Sequence, residues 1–222
     1  MSAGVKRGDR RLNLGLRTER ALGHSYGGSK WVPEVCLDRT CAAQRPPPMT
    51  PARVEGLLRS GVKKFTNKAD VETVADLYRS YFEGVTSTAD QLTFSSLQWG
   101  DAEAVALAAV LPEHIHLNSL DLSRNMVGPV GAAALSSFVT VSASLTSLDV
   151  GCNHINGDEA KQLAAAVLAK PTIEVFTSIP LKELRMDSLT TLDLPFKGLG
   201  IPEAIVLADL LQFVSTSLTN LS

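Results

Sequence analysis

Two aspartates raise the first chemical question in this sequence. Asp121 lies in Leu120-Asp121-Leu122 and Asp149 in Leu148-Asp149-Val150, 28 residues further on. Paired carboxylates are the raw material of general acid–base chemistry, one protonated and one ionised. Here, however, the same phrase surrounds both: Leu117-Asn118-Ser119-Leu120-Asp121-Leu122-Ser123-Arg124-Asn125, then Leu145-Thr146-Ser147-Leu148-Asp149-Val150-Gly151-Cys152-Asn153. Repetition alone explains the pairing, and no histidine converges on it. His114, His116 and His154 fall on expected loops or turns, and His114 and His116 beside Glu113 offer too few ligands for a metal. Glycine-rich phosphate loops and a Gly-x-Ser-x-Gly elbow are absent. Cys36 and Cys41 lack the second ligand pair of a zinc site, so with Cys152 they read as free thiols in a reducing compartment. The expectation is a non-enzyme with no catalytic, cofactor-binding or metal-binding residues.

The same residues suit recognition better. In Leu120-Asp121-Leu122 the two leucines alternate, which puts them on one face of a short strand and turns Ser119, Asp121 and Ser123 to the other. Across the copies the outward column holds Thr93, Asp121, Asp149, Thr177 and Asp193, flanked by Ser119, Ser147 and Thr191 on one side and Ser95, Ser123 and Gly151 on the other. Adjacent strands lie about 4.8 Å apart, so these side chains would share one polar, acidic strip. Two readings stand: a surface for a protein partner with basic or hydroxyl-bearing groups, or an ordinary solvated sheet face.

What must position the strip is the repeat. The offset of 28 also carries Val127 to Ile155 and Leu135 to Leu163; subtracted, it lands on Leu92, Phe94, Trp99, Gly100 and Leu107, with Leu97 in the asparagine place. Added, it reaches Ile173 and Phe176 and then decays. A further copy starts early at Leu189, with Lys197 in the asparagine place, then Leu199, Gly200 and Leu207; a last one opens at Leu218. A fixed period in the twenties with leucines around an asparagine is the mark of a leucine-rich repeat. One strand and one helix cannot bury their own apolar faces, but stacked copies share a continuous core. Helices are expected at about 101–111, 129–142, 158–170 and 202–216, with Pro129 and Pro202 at helix starts. Between 172 and 188 a strand and a loop are expected, because Pro180 interrupts and the room is short. Asn125 and Asn153 should bond backbone groups of their own turn and of the next copy.

The rest of the chain divides by composition. Residues 1–64 hold 13 Lys+Arg against 5 Asp+Glu, a charge of +8, whereas residues 65–222 carry −10. Residues 1–50, with Gly27-Gly28 and Pro46-Pro47-Pro48, read as a disordered basic arm. Asp9 and Glu19 count against an organelle transit peptide, and no apolar segment follows the start to make a secretory signal. No run reaches the ~18 apolar residues of a membrane span. The expected location is the cytoplasm, with the nucleus as the other compartment. Residues 51–88 should form a helical N-terminal cap: a helix from Pro51 towards Lys64, then one capped by Asn67, ended by Gly84, with Val71, Val74, Leu77, Tyr78, Tyr81 and Phe82 on its apolar face. Residues 89–222 are the repeats, the last without its helix. Leu210, Leu211, Phe213 and Leu218 then lack a following copy, which suggests a longer array or self-association through that end.

The run Leu120-Asp121-Leu122-Ser123-Arg124-Asn125, with Gly128, Gly131 and Leu135, resembles the ribonuclease-inhibitor type of leucine-rich repeat, found also in NOD-like receptors and in the GTPase-activating protein for Ran. The resemblance spans about Leu92 to Leu221. It implies an α/β solenoid with a curved parallel sheet on the concave face and helices on the convex face. The stretch Tyr78 to Leu111, with Phe94-Ser95-Ser96-Leu97-Gln98-Trp99-Gly100-Asp101-Ala102-Glu103-Ala104, is similar to repeat proteins of unicellular marine algae such as dinoflagellates, which suggests a source and not a function. Fold alone does not assign function; the leading expectation is an intracellular protein–protein interaction scaffold that binds through the concave face. The alternative is a regulator of a small GTPase, by analogy with the Ran activator. Only the basic arm favours nucleic acid, and such binding would weaken steeply with salt.

Overall fold

The computed structural model describes residues 45–60, 69–194, 198–212 and 220–221. Residues 1–44, Asn67 and Lys197 lie outside the described residues, and with them most of the expected arm. Two helices come first, α1 (Pro51–Arg59) and α2 (Ala69–Thr86). Thr50 caps α1, its hydroxyl accepting from Arg53 N at 3.4 Å, with Pro51 at the first helical position. Asp70 and Glu72 place negative charge in the first turn of α2, where the helix dipole favours it. Arg59 and Arg79 join the two helices through Glu72 and Glu55.

Three sequence expectations change in this region. The helix runs past Gly84 to Thr86, because a glycine in a packed helix only weakens it. Its buried side is Ala75, Tyr78, Phe82 and Thr86, while Leu77 and Tyr81 are exposed. Residues 45–50, expected in the arm, make contacts with α2 and the first repeat. Pro48 is buried, Tyr78 Oη donates to the Met49 carbonyl at 2.6 Å, and Trp99 Nε1 donates to the Arg45 carbonyl at 2.8 Å.

The repeats follow as β1 (Gln91–Thr93), α3 (Asp101–Ala108), a short 3₁₀ turn (Leu111–Glu113), β2 (Ser119–Asp121), α4 (Pro129–Val141), β3 (Ser147–Asp149) and α5 (Gly157–Leu168). β1, β2 and β3 pair in parallel, with Leu92, Leu120 and Leu148 side by side. All three are buried, along with Leu122, Val127, Leu135, Leu145 and Leu163. The helices pack in chain order, α3 on α4 and α4 on α5. Gly131 permits the first of these contacts: a Cβ there would lie 2.7 Å from Val127 Cγ1 and 2.8 Å from Ala104 Cβ. The result is an α/β fold with one continuous core between a parallel sheet and a layer of helices.

Each strand leaves through a left-handed residue: Ser96 (φ 58°), Arg124 (57°) and Cys152 (55°), again 28 apart. The next multiple is Pro180, whose ring forbids positive φ. The fourth copy therefore turns earlier, at Thr177 (φ 44°) and Ser178 (φ 67°). Its strand β4 (Val175–Phe176) folds back on β5 (Ile179–Pro180) as an antiparallel hairpin, and β5 runs into α6 (Leu181–Arg185). The room between 172 and 188 thus holds a hairpin and one helical turn rather than a strand and loop.

β6 (Thr191–Leu192) does not extend the first sheet; it pairs in parallel with β7 (Asn220–Leu221) in a second, two-stranded sheet. The last long helix, α7 (Ile201–Leu211), packs on α5. Cys152 N donates to the Gly198 carbonyl at 2.8 Å, so the third turn meets the fifth copy and the short copy is bypassed. Gly198 has φ +65°, and a Cβ there would collide with Cys152 Sγ. Because of the early restart, α7 buries Pro202, Glu203, Val206 and Leu210, and Leu207 is only half-buried.

Candidate functional site: the outward strip of the parallel sheet

Strand register fixes the strip. Thr93, Asp121 and Asp149 stand in line across β1, β2 and β3, and Gln91, Ser119 and Ser147 form the row beside them. All but the exposed Gln91 are half-buried, over leucines that are fully buried. Each aspartate also serves its own turn: Asp121 Oδ1 accepts from Ser123 N and Asp149 Oδ1 from Gly151 N, both at 2.9 Å. Burial pushes the Asp149 carboxyl above the ordinary carboxylate range, against the pull of the Gly151 N–H, and the neighbouring Asp121 charge pushes it the same way. Arg124 opposes the rise. The arrangement offers hydroxyls and two half-buried carboxylates, each with one oxygen held by its turn. It can accept hydrogen bonds from cationic or hydroxyl-bearing groups.

Three expected strip residues are placed elsewhere. Thr177 is buried, because the chain turns inward there; its hydroxyl accepts from Val150 N at 3.1 Å and donates to Glu203 Oε1 at 2.9 Å. Thr191 and Asp193 are exposed but belong with the second sheet, out of register with Asp149. Ser123 keeps its place beside Asp121, half-buried.

The asparagines behave as turn residues, with one correction: they bond the preceding copy, not the next. Asn125 Oδ1 accepts from Leu97 N (2.9 Å) and Trp99 N (3.1 Å), and Nδ2 donates to the carbonyls of Phe94 (2.8 Å) and Leu122 (2.9 Å). Asn153 repeats this with Val127 N, Leu122 O and Val150 O. The direction follows from geometry: the side chain points back across the ladder to the strand already laid down.

Sequence reasoning missed three polar groups. Glu203 is buried, accepting from Gly200 N at 2.8 Å and from Thr177. Arg185 donates to the Ile173 carbonyl at 2.7 Å and to Val167 O at 3.2 Å, so it closes the C-terminal end of α5. His114 lies on a loop, as expected, but is buried there. The Gly200-x-x-Glu203 spacing, matching Gly100-x-x-Glu103, was a legible capping signal for the first; nothing periodic marks the other two.

Among the described residues, no group of three or more His, Cys, Asp or Glu side chains gathers as a metal site. A cleft of about 430 Å³ lies away from the strip, lined by Thr50, Glu55, Arg79, Phe82, Glu83 and Glu113 among others. Among the described residues, no helix is long and apolar enough to cross a membrane.

With this geometry in place, the comparisons with known proteins are informative about class. A family model described as "Leucine Rich repeat" matches residues 113–136 and 141–164. The two matched segments start 28 residues apart, the period that aligns β2 with β3. Those two segments carry leucine-rich repeats. No curated protein matches it. A solved structure titled "Leiomodin-1 Actin-Binding Site 2 (ABS2)" is similar over part of the fold, at 18% identity and a TM-score of 0.38. That match covers 43% of this chain and 58% of the other.

Proposed function

We propose that the protein is a non-enzymatic interaction scaffold that binds a protein partner along the outward strip of its parallel sheet. In this reading the stacked copies from residue 89 onward form a solenoid of the ribonuclease-inhibitor type. The sheet is its concave side, and residues 51–88 are its N-terminal cap. One observation carries the proposal: the register that places Thr93, Asp121 and Asp149 in line, with Ser119 and Ser147 beside them. A rigid ladder holds these donors and acceptors in fixed relative positions, so little ordering is left for the moment of binding. The expected partner surface is basic or hydroxyl-bearing, matching the acidic strip.

The test is affinity capture from source-cell lysate with three full-length baits: wild type, Asp121→Lys with Asp149→Lys, and Gln162→Lys on the helical side. A partner retained by wild type and Gln162→Lys but lost by the double variant supports the reading. Capture that ignores the double change sinks it. The alternative, regulation of a small GTPase, is decided separately by GTP hydrolysis across a GTPase panel. Stimulation by the wild-type protein would move the assignment there.

A further inference from the structure

We infer that His114 makes the seam between the N-terminal helices and the first repeat labile to acid, so that α1 and α2 release from the repeats while the repeats stay folded. The seam is a small core of its own. Tyr78 and Phe82 of α2 pack with Val110 and with Val54 of α1, separately from the main core. His114 closes it from the repeat side: its ring meets Phe82 edge-on at 6.3 Å and 71°. The ring is 3% exposed, and neither nitrogen has a hydrogen-bond partner. A neutral imidazole tolerates that position at some cost. An imidazolium, with two N–H donors and a charge, does not.

The charged surroundings do not reverse this balance. On the histidine's own turn Glu113 favours the charged ring. Facing elements contribute Glu83, Arg79 and Tyr78 from α2, Glu55 from α1, and Asp101 and Glu103 at the far end of α3; α4 has no titratable residue. Burial outweighs the pull of Glu113 and of the nearby Val110 carbonyl, which falls short of a hydrogen bond to the ring, and holds the His114 pKa below the ordinary imidazole value of 6.5. The sign follows from linkage. The open seam binds a proton near the ordinary value and the closed seam does not, so closure is complete above it. Closure is lost as pH falls through the lowered value. In that window one proton taken up on opening shifts the equilibrium about tenfold per pH unit. Val85 of α2 also packs on the main core and Trp99 Nε1 bonds the Arg45 carbonyl, but the N-terminal helices meet the repeats far less than the repeat helices meet one another, so the seam opens before the main core does.

The experiment is hydrogen exchange by mass spectrometry on the full chain from pH 7.5 to 5, corrected for intrinsic rates, with wild type and His114→Phe. In wild type, protection in α2 should fall by up to about tenfold per pH unit, while α4 and α5 stay protected. In His114→Phe the α2 protection should not change with pH. An equal fall in the variant, or no fall in wild type, overturns the proposal. Should His114→Phe fail to fold, imidazole NMR of the wild type decides: one of the four histidines must titrate below the rest. Its shift must track the loss of α2 protection, and four ordinary titrations overturn the proposal. Neither measurement involves a bound partner, so the outcome is independent of the strip.

Discussion

Asn125 provides the sharpest test of how the copies are joined. Its amide oxygen takes the N–H groups of Leu97 and Trp99, and its nitrogen serves the carbonyls of Phe94 and Leu122, all in the preceding copy or its own turn. Asn125→Ala leaves two N–H donors without partners at a site that is 5% exposed. An orphaned buried donor costs about 1–3 kcal/mol, so the pair should cost about 2–6 kcal/mol, less where water enters the site. Asn153 is an internal control: its oxygen holds one N–H, that of Val127 at 3.0 Å, and it is half-buried. Asn153→Ala should cost less, about 1–3 kcal/mol. Urea unfolding followed by far-UV circular dichroism and by tryptophan fluorescence reads both, with Trp99 beside the first network. A loss below about 1 kcal/mol for Asn125→Ala, or one no larger than that of Asn153→Ala, would refute the reasoning.

Four further outcomes are expected. Leu148→Ala removes a fully buried side chain at the centre of the register and should destabilise by about 2–5 kcal/mol in the same assay. Arg185→Met keeps most of the aliphatic stem but removes the donors at the end of α5; it should cost about 1.5–3 kcal/mol, with early loss of amide protection in α5. Gly131→Val should destabilise by at least about 1–3 kcal/mol, since even a Cβ has no room against Val127 and Ala104. Asp149→Asn keeps an acceptor for Gly151 N–H and removes a charge that burial disfavours. Because the folded-state pKa is raised, the wild-type carboxyl favours folding in acid and loses that advantage as pH rises through it. The variant should therefore gain in melting temperature over wild type at pH 7, and the gain should fade as the pH is lowered towards 3.

Much of the fold was legible because the chain repeats itself. The offset of 28 located three strands, three helices and the turn asparagines, and register then carried Asp121 and Asp149 into one column. Where the copies stop being alike, periodicity loses its power. Thr177 falls in the aspartate column by counting, yet is buried, because Pro180 cannot take the left-handed turn and the chain turns three residues sooner. Thr191 and Asp193 follow a strand that restarts in another sheet. Leu77 and Tyr81 have the right spacing for an apolar face, but the side of α2 that meets Val110 is set one step round the helix.

The sequence by itself determined the repeating unit: which residues go inward, where each strand turns, and why the fourth copy fails. Those are local matters of alternation, of φ at single positions, and of a proline's fixed ring. Only the tertiary structure decided which copy each asparagine holds, that α7 packs on α5 past the short copy, and that His114 is enclosed against Phe82. Those contacts join residues far apart in the chain, and burial between distant segments leaves no periodic trace in either one.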